Sequence, residues 1–337
     1  MEAALVLASV LRESAGDVVE GVIHCSDSAC RQEYPIIDGI PLLVPDVRSY
    51  VGSNLGQIAA RRDLSDLLES LLGDAAGPGS SYDTTRQHLS IYCWDHYADL
   101  DPDESAALLA PASIVRGLEL GLEMLERSQG PILDLGCSVG RTTFELARRL
   151  DGPVLGMDLN FSMLQIARRV LSAGVVGYPR RRVGLVYERR EFAVDFQGRE
   201  RVDFWACDAL APPFADGQFG LLVGLNLLDC VATPHTFLGK TRDLLRPGGS
   251  TLLATPYDWS PNATPVEAWI GGHSQRGPEG GASDRFLRQL LTPNAHPQSI
   301  DKLRLTGELE RIPWHARLHE RSTVVYELHL LAALRET

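Results

Sequence analysis

The chain has 337 residues and a formal net charge of −12, with 44% hydrophobic and 23% charged residues. That balance describes an ordinary globular protein and argues against a general nucleic-acid binder, which carries a basic surplus. No apolar run of about 18 residues exists, so no membrane span is expected, and the scattered cysteines suggest no disulfide framework and a reducing cytoplasm.

The opening residues, Met1 to Leu11, are apolar, but Glu2 stands where a leader peptide is basic. They are expected to form the first strand or helix of the fold. Residues 17–45 read as a small β module. Val18 to His24 is strand-like, Cys25 and Cys30 follow, and Asp38-Gly39 marks a hairpin between apolar runs. Leu64, Leu67, Leu68, Leu71 and Leu72 have helical spacing, and Ala75 to Ser81 has the composition of a linker. These signals divide the chain into a β module (1–50), a helix and linker (51–85) and a main domain (86–337).

Ile91 to Leu100 interleaves aromatic and polar residues ahead of a helix expected over 104–127. Ile132, Leu133 and Leu135 then form a short apolar strand, followed by Gly136, Gly140 and a helix over 142–149. Strand, glycine turn and helix make the first half of a doubly wound nucleotide site. The glycines allow a sharp turn and let a ligand approach bare backbone. A dinucleotide fingerprint needs three glycines in a different spacing, and a phosphate loop needs a Lys-Ser/Thr pair; neither is present. Asp134 beside the loop is awkward for a pyrophosphate and suits an ammonium group.

Pro153 to Leu159 reads as the second strand. Asp158 falls about 20 residues after the glycines, where a ribose-binding acid belongs, with Leu159 beside it. Its carboxylate can accept from both ribose hydroxyls. A helix over 161–171 follows. Residues 174–201 form an arginine-rich insertion; a solvated hairpin is favoured there over an anion site. Strands are expected at 204–210, 220–226 and 250–255. Asp208-Ala209 lies at the end of the first, Asn226 ends the second, and Asp229 follows it. Apolar runs at 312–318 and 323–331 suit an antiparallel hairpin that closes the sheet. The expected fold is therefore α/β: a doubly wound, Rossmann-like sheet with a closing hairpin and a small N-terminal β module.

Asp134-Leu-Gly-Cys-Ser-Val-Gly140 resembles motif I of the class I S-adenosylmethionine (SAM) methyltransferases, with Ser138 in place of the middle glycine. The order of motif I, Asp158, Asp208, the Arg246-Pro-Gly-Gly249 turn and the final hairpin also resembles that family. The resemblance implies SAM as cofactor, held by Asp134, Gly136, Ser138, Gly140, Asp158, Leu159, Asp208, Ala209 and Asn226. Asp208 would accept from the adenine amino group. An aromatic segment lies over the cofactor in many members, which makes Tyr97 and Trp94 the ring candidates. Tyr34 to Pro41 resembles the tail of short zinc ribbons that accompany methyltransferases. Two thiolates do not complete a zinc site, so no metal is assigned.

Gly136 to Leu146, Asn226-Leu-Leu-Asp229 and Thr255 to Gly272 further resemble the 4-mercaptohistidine N-methyltransferase domain of ovothiol-forming sulfoxide synthases. That resemblance implies N-methylation of a small histidine-derived imidazole, a thiol or its selenium analogue. Nitrogen transfer would require the pocket to hold a competing sulfur away from the methyl group. Asp229 and Tyr257 would be the catalytic residues, and Trp259, Glu267 and Trp269 would bind substrate. An rRNA or tRNA methyltransferase and a non-catalytic partner protein are the alternatives.

Overall fold

The computed structural model describes residues 4–30, 32–58, 60, 66–104, 109–125 and 130–337. Leu64 of the expected amphipathic helix lies outside them, as do residues 105–108 and 126–127 of the helix expected over 104–127. The chain opens with β1 (Leu5–Ser14), β2 (Asp17–Cys25), β3 (Glu33–Ile37) and β4 (Ile40–Pro41), paired antiparallel in that order. The apolar start is thus a strand. Asp38, at φ +53°, and Gly39, at φ +74°, make the turn between β3 and β4. Three helices follow: α1 (Val47–Ile58), α2 (Asp66–Ala76) and α3 (Ser81–Tyr97). The linker composition at 75–81 corresponds to the turn from α2 to α3, where the Ser80 hydroxyl accepts from the Asp83 amide and caps α3.

The aromatic stretch at 91–97 is the last part of α3 itself. The next helix, α4 (Ser113–Glu123), is started by α3: the Asp95 carboxylate accepts from the amides of Ser113 and Ile114. The nucleotide-binding alternation then runs β5 (Ile132–Leu135), α5 (Arg141–Arg149), β6 (Val154–Asp158) and α6 (Phe161–Ala173). An antiparallel hairpin, β7 (Val175–Val183) and β8 (Val186–Ala193), occupies the arginine-rich insertion. It is less solvated than its composition suggests. Arg180 pairs with Glu104 and Glu188, and Arg190 grips the Asp101 carboxylate through two nitrogens. The chain finishes with β9 (Val202–Ala206), β10 (Phe219–Leu225), α7 (Pro234–Leu244), β11 (Leu245–Thr255), α8 (Ser283–Leu290), β12 (Leu303–His319) and β13 (Ser322–Arg335).

The central sheet has the order β12-β13-β11-β10-β5-β6-β9. The five strands from β11 to β9 are parallel, and β13 runs antiparallel to both β11 and β12. Alternation along each strand sends residues to opposite faces. Ile132, Leu221, Val223 and Leu252 pack with the helices α3 to α6, while Leu133, Leu222 and Leu253 pack with α7 and α8. Strands covered on both faces read as continuous apolar runs, as β10 does. The order of connection reverses between β5 and β10, and a ligand in such a sheet binds at that crevice, beyond the carboxyl ends of the strands. The N-terminal sheet is not separate: Leu42 bridges Ala206 at the end of β9, and Ile40 and Leu42 are fully buried. Among the described residues, no helix is long and apolar enough to cross a membrane.

Candidate active site

A cavity of about 580 Å³ opens at the predicted crevice. Its floor is the glycine turn after β5. Gly136, at φ +72°, passes so close to Leu227 that an added Cβ would lie 3.0 Å from its side chain. Ser138 adopts φ +53°, the left-handed conformation a glycine would have taken, and its hydroxyl donates to the Met163 sulfur at 3.2 Å. The missing middle glycine therefore costs some backbone strain without closing the turn. Gly140, at φ +88°, does not line the cavity. It packs beneath the loop, where a Cβ would stand 2.7 Å from Ala167 Cβ and 2.8 Å from the Phe204 ring.

Three acids line one end. Asp134 is 2% exposed, and the hydroxyls of Thr142 and Thr143 both donate to its Oδ2. Burial outweighs those bonds and pushes its carboxyl up to about 6. The threonines are thus committed to an acid and not to a phosphate. Asp158 accepts from the Ser138 amide at 2.8 Å and from the Asn160 amide at 2.7 Å, which ties the turn after β6 to the glycine loop. Burial raises its pKa as well. Asp208 lines the wall beside Ala209 and accepts from the Leu210 amide. Leu159 also faces the cavity, and both polar atoms of the Asn226 amide are buried without a hydrogen-bond partner among the described residues.

The other end is built from rings. His88, Tyr92 and His96 share one face of α3 at a spacing of four residues, and all three line the cavity. Trp314 of β12 lies 6.3 Å from the Tyr92 ring and stacks on Tyr326 at 5.0 Å. Burial, assisted by Arg141, pushes His96 down to about 3, so its imidazole is neutral. Burial also lowers the pKa of His88. Cys230 completes the wall, its thiol pushed up to about 12 by burial and by Asp229. Helical phase made the difference here. Tyr97 lies on the opposite face of α3, is fully buried, and donates to the Val139 carbonyl at 2.7 Å. Trp94 is buried beneath the Arg317 guanidinium.

The remaining expected residues do not reach this cavity. Asp229 is 2% exposed and braces two loops: it accepts from the Thr255 hydroxyl and the Asp258 amide, and its carbonyl accepts from Thr264. Tyr257, at φ +56°, bonds through its hydroxyl to His329 Nδ1. Trp259 and Trp269 stack on each other at 6.1 Å, with Trp269 donating to the Thr264 carbonyl. Glu267 is exposed beside them. Glu308, Glu310 and His329 are the acid–imidazole cluster with metal-like spacing among the described residues, but the Arg288 guanidinium already bonds both glutamates. His88, Tyr92, His96 and Trp314 were missed in the sequence; the helical repeat of the first three was the available signal.

No arginine or lysine is among the described lining residues. A dinucleotide pyrophosphate would lack a cation there, whereas a molecule with an ammonium, a ribose and a sulfonium finds acids and rings. The donor set therefore fits SAM. Residues 133–253 match the family model for a methyltransferase domain. The chain is 28% identical over 180 residues to the methyltransferase GfsG of Streptomyces halstedii, covering 52% of this chain and 56% of that protein. It is 25% identical over 140 residues to the O-methyltransferase cnsE of Penicillium expansum, covering 40% and 41%. It thus spans about half the length of the curated relatives it matches. A solved SAM-dependent methyltransferase from Methanosarcina mazei aligns with 18% identity and a TM-score of 0.42, over 64% of this chain and 97% of that one. Residues 133–253 thus match a methyltransferase domain, and they lie within an α/β, Rossmann-like fold.

Proposed function

We propose that the chain methylates a small, ring-bearing molecule without an anionic group, at a hydroxyl or ring nitrogen. The observation that carries this reading is the two-ended cavity: acids at the β5 and β6 ends, rings and neutral imidazoles opposite, and no lining arginine or lysine. Bound SAM supplies a methyl group already activated on a sulfonium. Asp134 holds its ammonium, Asp158 its ribose hydroxyls, and Asp208 with Ala209 its adenine edge. Gly136 and Ser138 form the floor of the turn, Leu159 and Asn226 form walls, and Gly140 shapes the turn from beneath. The first amides of α5 offer the anion-binding backbone that the cofactor's own carboxylate needs.

On the acceptor side, Tyr92 and Trp314 form one aromatic wall, against which a flat ring would pack and be oriented for transfer. A hydroxyl acceptor must lose its proton as the new bond forms. The neutral His88 imidazole at the cavity mouth is the base we assign to it. One relative, that of Penicillium expansum, is an O-methyltransferase, which supports an oxygen acceptor. The histidine-derived imidazole implied by the sequence is the second reading. A free α-carboxylate would find no arginine or lysine partner among the described lining residues. Tyr257, Asp229, Trp259 and Trp269 then act by bracing loops and not by touching substrate.

Mass spectrometry of the purified chain with SAM, offered simple phenols, 4-mercaptohistidine, its carboxyl ester and bulk RNA, tests the proposal. Methylation of a phenol, or of the ester over the free acid, is the expected result. Turnover of the free amino acid alone would restore the histidine-derived reading, and methylation of RNA alone would contradict both.

A further inference from the structure

We propose that Tyr50 of α1 is a positioning residue of the cofactor site, so that the N-terminal segment completes that site. The inference rests on the reading that the acid-lined cavity binds SAM. Tyr50 lies 109 positions from Leu159 in sequence, yet its hydroxyl donates to the Leu159 carbonyl at 2.7 Å. That carbonyl belongs to the turn at 158–160, which joins the end of β6 to α6. On one side Asp158 accepts from the Ser138 amide of the glycine loop, and on the other the Asn160 side chain accepts from the Met163 amide and caps α6. The turn therefore has one acid committed to the glycine loop, one amide committed to α6, and one carbonyl held from outside by Tyr50.

Holding that carbonyl has two effects. It fixes the Leu159–Asn160 peptide plane, whose N–H donates to the Asp158 carboxylate at 2.7 Å, and with it the direction in which that carboxylate points. It also keeps the Leu159 side chain, 44% exposed, on the cavity side as an apolar ledge. The phenol remains a donor at any working pH, because burial and the nearby Asp158 both raise its pKa.

Tyr50 can impose this geometry because the segment carrying it is anchored to the same region. The Leu43 amide donates to the Ala206 carbonyl at 2.9 Å, one strand away from Asp158. Gln165 of α6 donates to Asp38 at 2.8 Å, and Arg168 of α6 pairs with Asp17 at 2.9 Å. An arginine side chain fills the space beside Gly39, where a Cβ would lie 2.4 Å from Arg168 Nε. The sheet, α1 and the turn are therefore linked by contacts that converge on α6 and the ends of β6 and β9.

Tyr50→Phe removes one hydrogen bond and keeps the ring. S-adenosylhomocysteine is the probe. The variant is expected to bind it about five-fold more weakly, the equivalent of one lost net hydrogen bond. Combined with Asp158→Asn, the two losses should be less than additive, since both act through one turn. In the parent chain, the probe should slow amide hydrogen exchange across residues 47–58. A structural role alone would lower the melting temperature while leaving affinity, coupling and exchange unchanged, and that result overturns the proposal. Failure of the parent chain to bind the probe at all would instead overturn the cofactor reading beneath it.

Discussion

Asp134→Asn is expected to stabilise the free protein at neutral pH while weakening its cofactor site. The Asp134 carboxyl is pushed from its ordinary 3.8 to about 6 by burial, against the opposing pull of Thr142 and Thr143. A raised acid binds its proton more tightly in the folded state than in the unfolded one. Stability is therefore fully present below the unfolded value and declines as pH rises from about 4 through about 6. Each pH unit of the difference corresponds to about 1.4 kcal/mol, so the ionised carboxylate costs on the order of 3 kcal/mol at pH 7. Asparagine keeps the shape and the acceptor for the threonine hydroxyls without the charge. With an unfolding entropy of roughly 2 cal/mol/K per residue, that difference raises Tm by about 4 °C.

The assay is a thermal melt of both proteins from pH 4 to pH 8. The two curves should coincide near pH 4, separate through pH 5 to 6, and run parallel above pH 7 with the variant higher. Added S-adenosylhomocysteine should reverse the order at pH 7.5, because its ammonium compensates the parent's buried carboxylate and not the amide. A separation independent of pH, or a variant less stable than the parent at pH 7.5 without ligand, would refute the reasoning.

Gly140→Ala should be among the most damaging small substitutions. The position needs φ +88°, and the new methyl would meet Ala167 and the Phe204 ring below 3 Å. Strain and overpacking together cost about 3 kcal/mol, read as a fall in Tm of about 4 °C. Asp158→Asn should weaken S-adenosylhomocysteine binding on the order of 100-fold, through the loss of charge-assisted bonds to two ribose hydroxyls, measured by calorimetry. Tyr92→Ala should leave that affinity within about two-fold and lower turnover of any methylated acceptor at least ten-fold, which separates the acceptor wall from the cofactor wall.

Much of this architecture is local in sequence and could be read there. A buried strand, a glycine turn and a helix have short-range signatures, so β5, the loop and α5 were predictable within a residue or two. Asp158 and Asp208 were reachable for the same reason: the first ends β6 and the second follows β9 by two residues. The acceptor end was not legible in that way. Choosing Tyr97 over Tyr92 required the rotational phase of α3, and the aromatic composition of 91–97 does not supply it. Trp314 comes from a strand more than 200 positions beyond that helix, brought over by the closing hairpin. Asp229 and Tyr257 carried plausible chemistry in plausible places, yet backbone turns direct the first into a buried loop brace and the second towards His329. The Tyr50 contact to Leu159 has no sequence signal at all, because it depends on how the N-terminal sheet joins the edge strand β9.

The central claim is that the acid-lined crevice between β5 and β10 holds SAM. Isothermal titration of the purified chain with S-adenosylhomocysteine tests it most directly, alongside the Asp158→Asn variant as a folded control. Saturable one-to-one binding by the parent and its loss or strong weakening in the variant is the predicted result. Absence of binding by a folded parent chain, or equal affinity in the two proteins, would contradict the account.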